Sequence, residues 1–116
     1  MTLADRAKIL EGRTPDIVAD VMLYATDDGG RRQPILPGYG CVCVASKSEP
    51  PRGYDALFLL GNNSLLPGQR RKLGMVFLTP EGADAMRAAG NFYLWEAGFI
   101  GEATVIAADR DADTLV

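Results

Sequence analysis

Short segments with alternating apolar side chains, separated by turns rich in glycine and proline, restrict the fold of this chain most strongly. The clearest segment is residues 16–25, DIVADVMLYA, in which one set of alternate positions is wholly apolar: Ile17, Ala19, Val21, Leu23 and Ala25. Alternate side chains of a β-strand point to the same face of a sheet, so this set is predicted to face the core.

Five further segments carry strand signals. They comprise residues 41–46, 54–61 and 70–78 and the two arms of residues 91–108, where Ala97 and Gly98 are expected to form the turn. Short strands at this spacing, with few helical patterns between them, indicate an all-β barrel or sandwich.

Two short helices complete the predicted secondary structure. Residues 2–11 begin with Thr2 and Asp5, which have the spacing of a capping box. Residues 80–89 follow Thr79, whose side chain can cap the first helical turn, and begin with a proline that suits that turn. We therefore expect one helix before the first strand and one before the final hairpin.

The sequence predicts three regions: an N-terminal extension at residues 1–13, a single β-barrel domain at 14–108 and a disordered acidic tail at 109–116. The chain has 116 residues, a length that is consistent with one domain, and its net charge is −3. Outside the tail the net charge is close to zero. Since broad affinity for nucleic acid requires an excess of positive charge, such affinity is not expected. The spaced aspartates of the tail imitate the start of a calcium loop, but Thr114 occupies the position that requires glycine, so no metal site is predicted.

The residues available for catalysis are few. The chain contains no histidine, and its two cysteines, Cys41 and Cys43, are expected on one face of a strand as small buried side chains. Free cysteines fit a reducing compartment. The first ten residues lack the pattern of a signal peptide, and no apolar run approaches the roughly 18 residues of a membrane span. We therefore expect a cytoplasmic protein that is not an enzyme, needs no cofactor and has no membrane partner.

Residues 27–40, DDGGRRQPILPGYG, combine glycine, arginine and proline in a way that admits two interpretations. A phosphate-binding loop is excluded because the glycines do not lead into Lys-Ser or Lys-Thr at the start of a helix. Glycine and proline favour a structural corner between strands. The alternative is a binding loop in which Arg31 and Arg32 contact an anionic partner.

Several motifs in order resemble the C-terminal β-barrel domain of elongation factor Tu. The likeness covers roughly residues 14–107 and rests on glycines, prolines and aromatic residues at matching spacing: Gly29-Gly30-Arg31, Pro34, Gly38-Tyr39, Pro67-Gly68, Pro80 and the hairpin residues Phe92, Glu96, Gly98 and Gly101. The resemblance implies a six-stranded antiparallel barrel. In the elongation factor this domain contacts the other two domains and the T-stem of aminoacyl-tRNA, whereas the GTPase domain has no counterpart here.

The positions that the family uses for tRNA are altered in this chain. Where the family has arginine, proline and glutamine after its Gly-Tyr, this sequence has Gly40, Cys41 and Val42. Trp95 replaces the arginine before the matching Glu96. Since apolar groups cannot reproduce the phosphate contacts of a guanidinium, the resemblance implies a retained fold with tRNA binding lost.

The sequence thus predicts a non-enzymatic protein-binding module, whose partner is a translation component, a GTPase or a second copy of the chain. The alternative is a module that retains weak RNA or tRNA binding on the same surface. Trp95 and Phe99 either pack on the barrel or form an exposed aromatic patch that anchors a partner. The candidate binding residues are Arg31, Arg32, Tyr39, Trp95, Glu96 and Phe99.

Overall fold

The computed structural model describes residues 2–47 and 52–106. Within these ranges the strands are β1 (Ile17–Leu23), β2 (Gly40–Val44), β3 (Gly53–Leu59), β4 (Arg70–Phe77), β5 (Asn91–Trp95) and β6 (Phe99–Val105). The helices are α1 (Leu3–Leu10) and α2 (Pro80–Ala89), and Thr26–Asp28 forms one turn of 3₁₀ helix. Neither helix has the length or the apolar run needed to cross a membrane. The predicted acidic tail at residues 109–116 lies outside the described residues.

The strands form a closed antiparallel barrel in the order β1-β4-β3-β2-β5-β6, with β6 pairing back onto β1. This confirms the all-β, six-stranded barrel predicted above. Both predicted helices are also present. α1 begins with the capping box of Thr2 and Asp5, and Thr79 caps α2 through a bond to the backbone N–H of Gly82.

The alternating pattern of β1 determines which side chains fill the barrel. From Ile17 to Leu23, every second residue is buried, as predicted, whereas Ala25 lies beyond the strand and is only half-buried. Two phenylalanines on other strands, Phe58 and Phe92, are fully buried beside this face. Burial of such side chains is the main favourable term in folding a barrel of this size.

The two ends of the barrel are covered differently. Helix α2 packs at the end where β4 finishes and adds Ala83 and Met86 to the core. At the opposite end, the loops after β1 and β3 meet in a single β-bridge between Ile35 and Leu65, which are fully buried. Each of the two donates its N–H to the other's carbonyl, at 2.9 and 3.0 Å.

The glycine pair of the 27–40 segment forms a corner in which both residues are constrained. Gly29 has a φ of 89°, in the left-handed region that favours glycine. A Cβ atom on Gly30 would lie 2.1 Å from the carbonyl oxygen of Tyr24, so no larger residue fits without a backbone shift. The two glycines therefore form a constrained corner, which Arg31 directly follows, and a binding role for this segment stays a prediction.

Candidate functional site

Three of the six predicted residues form one cluster at the barrel end where β5 finishes. Arg31 Nη1 lies 3.3 Å from Glu96 Oε2, and the hydroxyl of Tyr39 donates a hydrogen bond to the same carboxylate oxygen. The Arg31 guanidinium also stacks over the Tyr39 ring, with Cζ 4.7 Å from the ring centroid. We call these three residues the Arg31–Tyr39–Glu96 cluster.

Arg31 and Glu96 are each placed by a constrained turn. Arg31 follows the Gly30 corner, and its carbonyl accepts a hydrogen bond of 2.6 Å from the Thr26 hydroxyl. Glu96 begins the turn between β5 and β6, where its N–H donates to the carbonyl of Gly98 at 2.7 Å. The cluster geometry is therefore defined by backbone structure as well as by side-chain contacts.

Tyr39 is the buried member of the cluster. Its ring packs edge-on against Phe58, with centroids 5.6 Å apart, and only 9% of the residue is exposed. Burial is the largest cause of a raised pKa for the Tyr39 phenol, followed by Cys41 and by the hydrogen bond to Glu96, while Arg31 opposes the shift. Tyr39 is therefore a protonated hydrogen-bond donor and is unsuited to act as a base.

Arg32 is separate from this cluster. Its side chain is exposed, and it makes no ion pair or hydrogen bond with any other residue of the ranges 2–47 and 52–106. The two arginines that the sequence places together thus differ: Arg31 is held by Glu96, and Arg32 extends into solvent.

Trp95 and Phe99 lie together on the outer surface, as paired residues of β5 and β6. Trp95 is 38% exposed and Phe99 is half-buried. On the other side of Trp95, its β2 partner Val42 is also half-buried. These three side chains form an apolar surface beside Glu96, and we call Val42, Trp95 and Phe99 the tryptophan face.

A further group of aromatic residues is not identified by the sequence pattern. The ammonium nitrogen of Lys47 lies 5.6, 5.0 and 4.9 Å from the ring centroids of Tyr24, Tyr93 and Phe99, respectively. These distances fall within the range of about 6 Å that characterises cation–π contacts. The signal in the sequence is that Tyr24 and Tyr93 occupy outward positions, where aromatic rings do not serve the core. Lys47 follows the predicted strand at residues 41–46 in a polar stretch without a strand or helix pattern, so the sequence does not indicate its contact with the rings.

The cysteines are buried and free, as predicted. The side-chain hydrogen bond between the Cys43 thiol and Cys41, together with burial, raises the pKa of Cys43 well above its usual value. Cys43 therefore stays a protonated thiol, which is a poor nucleophile. Across the described ranges, His, Cys, Asp and Glu side chains do not gather in groups of three that could hold a metal ion.

A cavity of about 380 Å³ lies between α1 and the loops at the barrel end where β3 finishes. Its wall includes Leu10, Pro37 and Phe58, and none of the six predicted site residues lines it. The cavity and the predicted surface are therefore distinct features of the molecule.

No protein-family model matches the sequence, and no curated protein matches it either. The likeness to the C-terminal barrel of elongation factor Tu therefore rests on the residue pattern described above.

Proposed function

We propose that this chain is a non-enzymatic protein-binding module, related to the C-terminal barrel of elongation factor Tu, that contacts its partner through the tryptophan face. The observation that carries the proposal is the exposure of Trp95, of which 38% is accessible. Tryptophan is among the residues most often found at the energetic centre of protein interfaces.

The surroundings of Trp95 support this role. Val42 and Phe99 flank the indole on neighbouring strands, so an apolar group of a partner could contact all three side chains at once. Glu96 is 44% exposed at the edge of this surface and is paired with Arg31. An apolar centre with a charged rim is the usual composition of a protein interface.

The state of Arg31 disfavours the alternative of RNA binding. Phosphate recognition by arginine uses the guanidinium N–H groups as donors. In Arg31 one of these donors is directed at Glu96, the guanidinium covers Tyr39, and only 19% of the side chain is exposed. A phosphate would have to displace a carboxylate that lies against the same guanidinium.

The non-enzymatic part of the proposal is supported by the protonation of the candidate groups. Both Tyr39 and Cys43 have raised pKa values, so neither supplies a base or a nucleophile at neutral pH. The Tyr39 hydroxyl instead donates its proton to a hydrogen bond with Glu96, which connects two loops of the fold.

A capture experiment tests the proposal. Tagged protein is incubated with cell lysate, with and without nuclease, and compared with Trp95→Ala and with Leu78→Ala. Leu78 is a matched control because it is exposed at 62% and follows β4 at the opposite end of the barrel. We expect a discrete protein that survives nuclease, is retained by Leu78→Ala and is lost with Trp95→Ala.

Purified tRNA provides the opposing measurement. Binding through phosphate contacts weakens steeply as salt concentration rises. Micromolar tRNA binding with such a salt slope, reduced in Arg31→Met or Arg32→Met, would replace protein binding with RNA binding as the function. Sedimentation of the purified chain separates a second copy of itself from a different partner.

A further inference from the structure

The three rings around Lys47 belong to strands or lie at a strand end. Tyr24 directly follows β1, Tyr93 lies on β5 and Phe99 begins β6. These strands are neighbours in the barrel, since β6 pairs with both β1 and β5. Register and strand pairing therefore hold the rings close together on the outer surface, and we call Tyr24, Tyr93 and Phe99 the aromatic cage.

Contacts within the cage fix its shape without involving Lys47. Tyr93 and Phe99 meet edge to face, with centroids 6.1 Å apart. The Tyr24 hydroxyl donates a hydrogen bond of 2.9 Å to Glu102, which is the β6 partner of both Tyr93 and Met22. Burial, followed by this hydrogen bond, raises the pKa of Tyr24 to about 12, so its ring stays neutral. The cage thus presents neutral aromatic faces beside one carboxylate.

Lys47, in contrast, reaches the cage from outside the sheet. It lies in the loop that follows β2 and is exposed to solvent. Among the described residues, its ammonium lies 3.5 Å from the Tyr24 hydroxyl and over the rings of Tyr24, Tyr93 and Phe99. A primary ammonium is compact and strongly hydrated. The free-energy cost of removing its hydration shell at an aromatic surface therefore opposes the cation–π attraction.

A quaternary ammonium group fits the same surface better. Its charge is covered by methyl groups, it loses little hydration on binding, and aromatic cages commonly recognise choline and methylated lysine. We propose that the aromatic cage is a binding site for a quaternary ammonium group, with the Lys47 side chain as its internal competitor. The charge and methyl groups of the ligand define this site, and binding there does not require Trp95.

Lys47→Ala tests the proposal, because it removes the competitor and leaves every cage ring in place. Choline chloride and a peptide with one trimethyllysine are titrated into the isotopically labelled full chain, and shifts of cage resonances are followed by NMR. We expect Lys47→Ala to bind both ligands about tenfold more tightly than the unsubstituted chain, which corresponds to the loss of a cation–π contact. The unmethylated peptide should bind the variant at least about tenfold more weakly than the trimethylated peptide.

Tyr93→Leu in the Lys47→Ala background provides the loss-of-binding control. Leucine keeps the apolar bulk on β5 while removing one aromatic face, and unchanged resonances elsewhere in the barrel show that the fold persists. We expect affinity for both ligands to fall about tenfold or more. Trp95→Ala should keep choline binding, which separates this site from protein capture by the tryptophan face.

Three results would overturn the proposal. The first is the absence of choline and trimethyllysine binding in Lys47→Ala, and the second is equal affinity with and without the Lys47 side chain. The third is unchanged binding after Tyr93→Leu, since that would place the cation elsewhere. Binding of the trimethyllysine peptide without choline supports the site and shows that the peptide chain adds contacts.

Discussion

The phenolic hydroxyl of Tyr39 donates a hydrogen bond to the carboxylate of Glu96, a residue 57 positions later in the sequence. This contact joins the residue before β2 to the turn between β5 and β6. Arg31 approaches the same carboxylate oxygen and also covers the Tyr39 ring. The three side chains therefore connect separate loops at one end of the barrel and lie beside the tryptophan face.

Tyr39→Phe should destabilise the protein while preserving the barrel. The substitution keeps the buried ring against Phe58 and removes the donor to Glu96. We expect the free energy of unfolding to fall by about 1–3 kcal/mol, the usual cost of losing a hydrogen bond to a charged group. Urea denaturation measured at neutral pH checks this value.

Tyr54→Phe is the matched control for that variant. The Tyr54 ring also packs against the core, but its hydroxyl makes no hydrogen bond to a residue in the described ranges. A change below about 0.5 kcal/mol is expected, as for substitutions away from structural contacts. Equal losses in the two variants would show that the Tyr39–Glu96 bond does not stabilise the fold.

Alkaline pH should lower the free energy of unfolding through the ionisation of Tyr24 and Tyr39. The pKa of Tyr39 is raised in the folded state, and that of Tyr24 is raised to about 12. A group with a raised pKa binds its proton more tightly when folded, so its contribution is complete below the unfolded value of about 10 and is lost as the pH rises above it. Each such tyrosine adds at most about 1.4 kcal/mol of lost stability per pH unit.

Urea denaturation between about pH 9 and pH 12 measures this slope for the unsubstituted chain and for Tyr39→Phe. The variant has no phenol to ionise at this position, so its stability should decline less steeply with pH. Parallel slopes in the two proteins would contradict the assignment of a raised pKa to Tyr39.

Alanine substitutions at Gly29 and Gly30 should destabilise the protein by different amounts. Alanine at position 30 would place its Cβ 2.1 Å from the Tyr24 carbonyl oxygen, so Gly30→Ala is expected to cost about 2–3 kcal/mol or more by forcing a backbone shift. At Gly29 the space that a methyl group would occupy is open, with nothing within 4 Å, but φ is 89°. Gly29→Ala should therefore cost only about 1–2 kcal/mol, the strain of a left-handed residue.

Thermal and urea unfolding of both variants test this order. A Gly29→Ala variant that is as destabilised as Gly30→Ala, or more so, would contradict the close backbone approach at Gly30. The amide resonance of Arg31 should also shift more in Gly30→Ala, because the backbone at Gly30 determines the position of the Arg31 backbone.

The inner surface of the barrel can be predicted from the sequence because strand patterning is local. Alternation from Ile17 to Leu23 identifies the buried face of β1 without reference to any other strand. The positions of α1 and α2 are similarly evident from capping residues that act within one helical turn. The predicted strands run one or two residues too long at several ends, since side-chain patterns do not mark where pairing stops.

Contacts between loops cannot be predicted in the same way. The Ile35–Leu65 bridge and the Arg31–Glu96 pair join segments brought together only by barrel closure, and neither follows from periodicity within one segment. The aromatic cage escapes prediction for a related reason. Its rings come from three elements, and Lys47 comes from a loop whose polar sequence carries no strand or helix signal.

The central claim of a protein-binding tryptophan face is tested most directly by photo-crosslinking in living cells. A photoreactive phenylalanine derivative placed at Val42, the β2 partner of Trp95, leaves the indole intact, and the same group at Leu78 serves as the control. We predict one discrete protein adduct from position 42 that is absent from position 78 and disappears with Trp95→Ala. Adducts to RNA alone at position 42, or identical adducts from both positions, would contradict the account.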